Sequence, residues 1–351
     1  MNAQGGPESR TALDPRLAWR PAGSRDLDAW ADLIARTAAV ERPVWFERRA
    51  ELEQILGSKN NPAAENTVLG FDPQGFARAY ARIMKNRDGA KAIGLGCVDP
   101  EWQESGIGTG LLAWAEQRTR ERFAEDTASS ADSGGPGTPA QVPKLRLYME
   151  HQHQHQAALF DRAGFTVVRY FNEMHRPLGG TLPQTVLDPR FSLVTFGPEL
   201  RESVRLAHND VFRDHWGSEP RDDEAWGLVV DDPLARPDLS GVVLDQPTGT
   251  VAGYQLATHD ADGAVVRGFR EGYTELLGVR REFRGRGIAQ ALLADAMHRF
   301  AASGMDTASL DVDSENPTGA LGLYLKMGYT VVNRSMAWDK DLEPAESPTD
   351  G

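Results

Sequence analysis

Cysteine is almost absent: Cys97 is the only one in 351 residues. An intrachain disulfide is therefore impossible, zinc sites built on several thiolates are excluded, and a reducing cytoplasm is the expected setting. Long apolar runs are missing too. No stretch approaches the roughly 18 residues that a membrane-spanning helix needs, and residues 1–14 are too polar for a signal peptide, so no membrane partner is expected. Basic charge is in deficit, 38 Lys and Arg against 51 Asp and Glu, for a formal net charge of −13. Phosphate backbones need clustered cations, so no nucleic-acid partner is expected either. What is present is an ordinary globular balance, 40% apolar and 25% charged. At about 150 residues per domain it suffices for two cores.

The charge is unevenly spread. Up to residue 185 the chain holds 22 basic and 23 acidic residues, and from there on 16 and 28, so a net −12 sits in the second half. Surface solubility explains that equally as well as an acidic pocket that gathers a cationic ligand.

The two halves repeat each other. Val98-Asp-Pro-Glu-Trp-Gln103-Glu-Ser-Gly106-Ile-Gly108 matches Val279-Arg-Arg-Glu-Phe-Arg284-Gly-Arg-Gly287-Ile-Ala289. Downstream, Ala158-Leu-Phe160-Asp-Arg-Ala-Gly164-Phe165 matches Gly322-Leu-Tyr324-Leu-Lys-Met-Gly328-Tyr329. Valine and aromatic are 62 residues apart in the first copy and 45 in the second. The surplus is accounted for by 126–142, rich in Ser, Gly, Ala and Pro and expected to be a flexible excursion. Without it the halves fall into register as a tandem duplication.

Expected domains are 15–178 and 191–341, joined by a linker at 179–190 and flanked by disordered tails at 1–14 and 342–351. In each, a short strand (17–20; 191–196) leads into helical segments (25–56; 199–230). Three strands follow (66–70, 76–85, 91–98; 241–245, 250–258, 271–279), then the glycine motif and an amphipathic helix (107–123; 288–302). Strand, helix and strand close the order (144–149, 154–163, 165–177; 307–313, 317–327, 329–339). The class is α/β (α+β), two tandem domains each with a mixed, mostly antiparallel sheet flanked by helices.

Gly285 and Gly287 stand where a strand ends and a helix begins. Glycines there let the backbone approach a ligand, and the unpaired N–H groups of the first helical turn, with the helix dipole, favour a phosphate or pyrophosphate. Arg284 and Arg286 add guanidinium donors. A Rossmann fingerprint fails because Gln290 stands at the third glycine position, and a P-loop fails for want of Gly-Lys-Ser/Thr. A plain strand-to-helix turn would explain one copy less awkwardly than two.

Gln/Arg-x-x-Gly-x-Gly/Ala after a strand, with Leu-Tyr-x-x-x-Gly-Phe/Tyr downstream, resembles the GNAT acyltransferase family, here in two tandem GNAT-like domains. The resemblance implies acetyl-CoA as a substrate. Its pyrophosphate would lie on Arg284, Gly285, Arg286, Gly287, Ile288, Ala289 and Gln290, its pantetheine along Leu277, Gly278 and Val279, with Asn316 and Tyr324 completing the site. First-half equivalents are Gly96, Cys97, Val98, Gln103, Glu104, Ser105, Gly106, Ile107 and Gly108. The implied reaction is direct N-acetyl transfer to a primary amine of a small polar or cationic acceptor. Alternatives are a non-catalytic acyl-CoA-binding module and a protein lysine acetyltransferase.

The reaction needs a proton for the leaving thiolate, which the Tyr324 phenol can supply; packing in a helix–sheet seam is its structural alternative. The first half has Phe160 there, and Gln152 where the second has Asn316. The proton acceptor is less obvious, because Tyr273 stands where family members often carry a glutamate. Glu271 and Glu275 share its strand face by period-two alternation and could act through water, whereas the first-half strand at 91–98 has no carboxylate. The second half is therefore the expected catalytic domain. The family's acceptor wall maps to Asp210, Asp214, His215 and Trp216, where a buried aromatic turn is the alternative. His151, His153 and His155 place only two imidazoles on a helix face, so no metal site is expected. Cys97 reads as a packed thiol. No motif reports the oligomeric state.

Overall fold

A computed structural model describes residues 13–43, 45–86, 89–132, 142–213, 215–315 and 319–343. The first repeat runs β1 (Ala18–Arg20), α1 (Leu27–Glu41), α2 (Arg49–Leu56), α3 (Ala63–Asn66), β2 (Thr67–Phe71), β3 (Ala77–Met84), β4 (Ala92–Val98), α4 (Ile107–Asp132), β5 (Lys144–Glu150), α5 (Gln154–Arg162) and β6 (Thr166–Pro177). The second runs β7 (Phe191–Thr195), α6 (Arg201–Val211), α7 (Asp223–Val230), β8 (Gly241–Asp245), β9 (Thr250–Thr258), α8 (Ala261–Arg267), β10 (Glu271–Val279), α9 (Ile288–Ala302), β11 (Thr307–Asp313), α10 (Ala320–Lys326) and β12 (Thr330–Asp341).

The compact units divide the chain inside β6 and β12 rather than at 179–190. One takes the chain up to Val168 and from Met336 onward, the other Arg169–Ser335. The reason is where the last strands bury their apolar side chains. Met336 and Trp338 of β12 pack with Leu145, Phe160 and Phe165 of the first unit. Met174 of β6 packs with Leu310, Met297 and Tyr329 of the second. Strand order is accordingly β1-β2-β3-β4-β5-β12 in the first unit and β6-β11-β10-β9-β8-β7 in the second. The β4–β5 and β10–β11 pairs are parallel, and the other registered neighbours within each unit are antiparallel.

In the second unit both sheet faces are covered around β8. Alternation along β8 sends Val242 to one core with Val204, Trp226 and Tyr254, and Val243 to the other with Ile288 and Leu292 of α9. Gly272 lies directly under Phe300, where a Cβ would come within 2.3 Å of the ring. That approach seats α9 close on the sheet, and Phe300→Ala would cost about 3–5 kcal/mol of cavity and lost burial.

The structure describes all or part of each segment expected to be irregular. Helix α4 continues to Asp132, so the first part of 126–142 is helical; Asp126 is held by Lys85 at 2.6 Å and by Arg122. Residues 133–141 lie outside the described residues. At the expected tails, the Asp14 carbonyl accepts the Trp19 indole N–H at 2.8 Å and Leu342 is buried. The segment at 179–190 packs on the second unit through Leu182 and Leu187, because both are apolar and each reaches one of its cores.

Candidate active site

In the second unit β10 and β11 stay paired for three residues, Glu271 with Thr307, Gly272 with Ala308 and Tyr273 with Ser309. Past that point they part, while β10 keeps β9 on its other edge as far as Val279 opposite Gly253. The main-chain groups of 277–279 that face β11 therefore have no strand partner, and a split of this kind can take a ligand's amide. A β-bulge accompanies the split. Thr274 pairs with Ala257 and Leu276 with Leu256, which leaves Glu275 as the extra residue. Bulges bend a strand and re-aim side chains, so the simple alternation expected to align Glu271, Tyr273 and Glu275 is interrupted. In the first unit β4 and β5 also part, after two pairs, but β3 and β4 run without a shift.

The loop after β10 forms a nest. Gly285 and Gly287 hold φ +75° and +74°, and nothing lies within 4 Å of where a Gly285 Cβ would be. Arg284, Arg286, Gly287 and Gln290 are exposed around it, Ile288 is buried as the anchor of α9, and the Arg284 Nε donates to the Val279 carbonyl at 3.2 Å. Amides at a helix N-terminus with two guanidinium groups beside them suit a pyrophosphate. The first unit keeps the same backbone, with Glu104 at φ +56° and Gly106 at φ +90°. Its chemistry differs: Gln103 and Ser105 replace the two arginines, and Glu104 brings a carboxylate. Gln103 donates to Glu41 and to the Val98 carbonyl, at 2.7 and 3.3 Å.

Tyr324 lies in α10, buried in the core of α9 and β11, edge-on to Tyr329 at 6.0 Å. Burial pushes its phenol up to about 12, so it stays protonated at neutral pH. Its first-unit counterpart, Phe160, packs on Phe165 at 6.0 Å with no hydroxyl. Cys97 is half-buried beside Thr37, with its thiol pushed up to about 12 chiefly by burial, which makes it a poor nucleophile. Gly96 allows β4 close to β3, since a Cβ would meet the Tyr80 carbonyl at 2.6 Å.

On the sheet face opposite α9, three neighbouring strands of the second unit bring titratable groups together. Register sets Tyr273, Ser309 and His175 abreast, then Asp311 opposite Glu173. Glu271 is buried and paired with Arg267 at 3.2 Å, so its carboxylate is already engaged. Asp313 pairs with Arg169 at 3.0 Å, and Glu173 with His175 at 2.7 Å. Burial tends to lower the His175 imidazole, but Glu173, Glu271 and Asp311 outweigh it and raise it. Glu275 and Asp311 are both open to solvent yet raised, first by the protein packed around them. Asp311 is raised to about 7 by burial and by the Glu173 charge, while the Tyr273 hydroxyl beside it opposes the shift. Arg221 partly offsets the rise at Glu275, which also edges a shallow apolar pocket with Leu256 and Phe196.

Sequence reasoning did not single out Asp311, Glu173, His175 or Arg221. Alternation in Ser309-Leu-Asp311-Val-Asp313 was a usable signal for Asp311. Glu173 and His175 depended on β6 lying beside β11, and Arg221 on the turn between α6 and α7. Of the expected acceptor wall, His215 lies tilted against Phe212 at 5.2 Å, and Trp216 sits by Phe171 at 6.3 Å with the Arg169 guanidinium over its ring at 4.9 Å. Asp214 and Asn316 lie outside the described residues. The first-half His153 and His155 rings turn to the Glu41 carbonyl and carboxylate, at 3.2 and 3.8 Å.

Residues 201–329 match the family described as Acetyltransferase (GNAT) family. A mycothiol acetyltransferase of Thermobispora bispora is 29% identical over 77% of this chain and 86% of its own length. One of Frankia alni is 26% identical over 92% and 94%. Among solved structures, a GCN5-related N-acetyltransferase from Sphaerobacter thermophilus superposes with TM-score 0.69 at 24% identity, covering 96% of this chain and 99% of that one. A tandem GNAT protein from the clavulanic acid biosynthesis pathway gives TM-score 0.66 at 14% identity, covering 94% and 99%. These two likenesses concern the fold. No helix among the described residues is long and apolar enough to cross a membrane.

Proposed function

We propose that this chain, a member of the GNAT acetyltransferase family, is an acyltransferase that uses its second unit to move an acetyl group from acetyl-CoA to the primary amine of a small, cationic acceptor. The observation that carries the reading is the parted β10–β11 pair, with an arginine-flanked amide nest at one end and Tyr324 on its α10 side. Unpaired main-chain groups at 277–279 would hold the pantetheine, and the amides of 285–290 with Arg284 and Arg286 the pyrophosphate. The acetyl carbonyl would then lie in the split, beside the face that carries Glu275, Asp311 and Glu173.

The chemistry follows from that placement. An acceptor ammonium is drawn to the carboxylates of Glu275, Asp311 and Glu173 and must give up a proton to attack. The neutral amine adds to the thioester carbon, the C–N bond forms, and the C–S bond breaks as the Tyr324 hydroxyl protonates the departing thiolate. Tyr324 regains a proton from the second one shed by the amine nitrogen, by way of solvent. One proton is released per acetylation. The first unit has neither the phenol nor the cations, which supports a supporting role for it.

Thiol release from acetyl-CoA over a panel of amines tests this, with mycothiol-related amines in the panel because of the named relatives. Tyr324→Phe should lower kcat about 100-fold without moving the KM for acetyl-CoA, and Phe160→Tyr should change neither. A wild-type protein that releases thiol with no amine sinks the proposal. Preference for lysine peptides over free amines would replace the acceptor class.

A further inference from the structure

We propose that Asp311 is the group that takes the first proton from the acceptor ammonium, with Glu275 across the parted strands holding that ammonium in place. This rests on the acetyl-transfer reading above and names its base. Three observations carry it. Asp311 follows Ser309, the last β11 residue paired with β10, by two positions, so it stands at the opening of the split and on the same face as Ser309. Of the five acids on this side of the sheet, three are engaged: Glu271 with Arg267, Asp313 with Arg169 and Glu173 with His175. Neither Glu275 nor Asp311 has an ion pair among the described residues, and the Asp311 carboxylate accepts a hydrogen bond from the neutral Tyr273 hydroxyl. Asp311 is also open to solvent, as a base that must return its proton needs to be.

Every neighbouring strand contributes to the state of this carboxyl. From β6, Glu173 repels its charge while His175 stands next to Glu173. From β10, Glu275 and Glu271 repel it and the Tyr273 hydroxyl favours the charged form. On its own strand, Asp313 is neutralised by Arg169. The packed protein first, and then three carboxylates, thus raise Asp311 to about 7, where about half of it is ionised at neutral pH and basic enough to accept. The step balances. The ammonium gives one N–H proton to the Asp311 carboxylate, the amine lone pair attacks, and the Asp311 carboxylic acid loses its proton to water after transfer.

The experiment has two arms on the full-length protein. First, kcat is measured from pH 5.5 to 9.5 for wild type and Asp311→Asn, with saturating acetyl-CoA and an amine that the wild type acetylates. The wild type should show an acid limb centred near 7. The variant should lose that limb and about 10²- to 10⁴-fold in kcat at neutral pH, with the KM for acetyl-CoA unchanged and Asp311→Glu recovering part of the rate. Second, the Asp311 carboxyl is titrated by carbon-13 NMR in the wild type, which needs no acceptor and no variant. A midpoint in the ordinary aspartate range, or an Asp311→Asn enzyme with wild-type kcat and an intact limb, overturns the assignment. Should no amine be acetylated, the reading of the function falls, and the NMR midpoint still decides separately whether Asp311 is basic at neutral pH.

Discussion

Glu104 and Gly285 occupy the same position of the two loop repeats and the same left-handed backbone region, at φ +56° and +75°. Glycine enters that region freely, whereas a side chain with a Cβ is strained there. The first unit has kept the shape of an anion nest while carrying a carboxylate residue on its loop. Its backbone geometry and its electrostatics point in opposite directions.

Replacing Glu104 with glycine should therefore relieve strain. About 1 kcal/mol is expected from leaving the left-handed penalty behind, read as a rise in the urea midpoint of the first unit. A midpoint that stays put or falls would show that Glu104 is accommodated at no cost.

Gly278 lies against the Tyr254 ring, and a Cβ there would sit 2.8 Å from Cε1 and 2.9 Å from the hydroxyl. The ring has little room to retreat, because its hydroxyl is bonded to His208 at 2.7 Å. Gly278→Ala should cost about 1–3 kcal/mol as overpacking, seen as a lower melting temperature for the second unit. Unchanged melting would mean that β10 gives way easily at this point.

His208 is buried among Tyr254, Phe212 and Trp226, and burial, aided by the Arg221 charge, lowers its imidazole to about 3. The neutral ring shares a hydrogen bond with the Tyr254 hydroxyl. A histidine whose folded pKa is depressed contributes stability that is complete above its unfolded value near 6.5 and disappears as pH falls towards 3. Urea titrations at pH 7 and pH 4.5 should show a loss in the wild type that is smaller in His208→Gln. Equal losses in both proteins would assign the acid sensitivity to other groups.

Asp339 of β12 holds the buried Arg146 of β5 through two bonds of 2.7 and 2.8 Å. Asp339→Ala removes both from a buried guanidinium and should destabilise the first unit by about 3–5 kcal/mol. Limited proteolysis should then cut first within that unit. Early cleavage in the second unit instead would mean that β12 matters little to the first.

The regular elements were legible where periodicity was clean. Strands at 250–258, 271–279 and 307–313 and the helix at 288–302 fall where alternation and the 3.6-residue pattern put them. The helical segments expected over 199–230 are α6 and α7, separated where Gly217 and Pro220 interrupt the pattern. Helix α8 was not expected from a short run between two strands. At the site, the glycine nest and Tyr324 were readable because both recur as local motifs. Glu275 was readable as a carboxylate on the right strand, but its place in a bulge was not: alternation through Glu271, Tyr273 and Glu275 looks continuous in the sequence.

Chain order and local pattern by themselves determined two copies of one α/β arrangement, each with a turn shaped for an anion, and only the later copy with a phenol and two arginines. Which repeat's final strand completes which sheet was settled by burial: Met174 and Trp338 satisfy alternation equally well in either sheet, and only three-dimensional packing distinguishes the two. That choice sets Glu173 opposite Asp311. A carboxyl's proton affinity depends on the charges and solvent within a few ångströms, and such neighbours are set by strand pairing rather than by position along the chain.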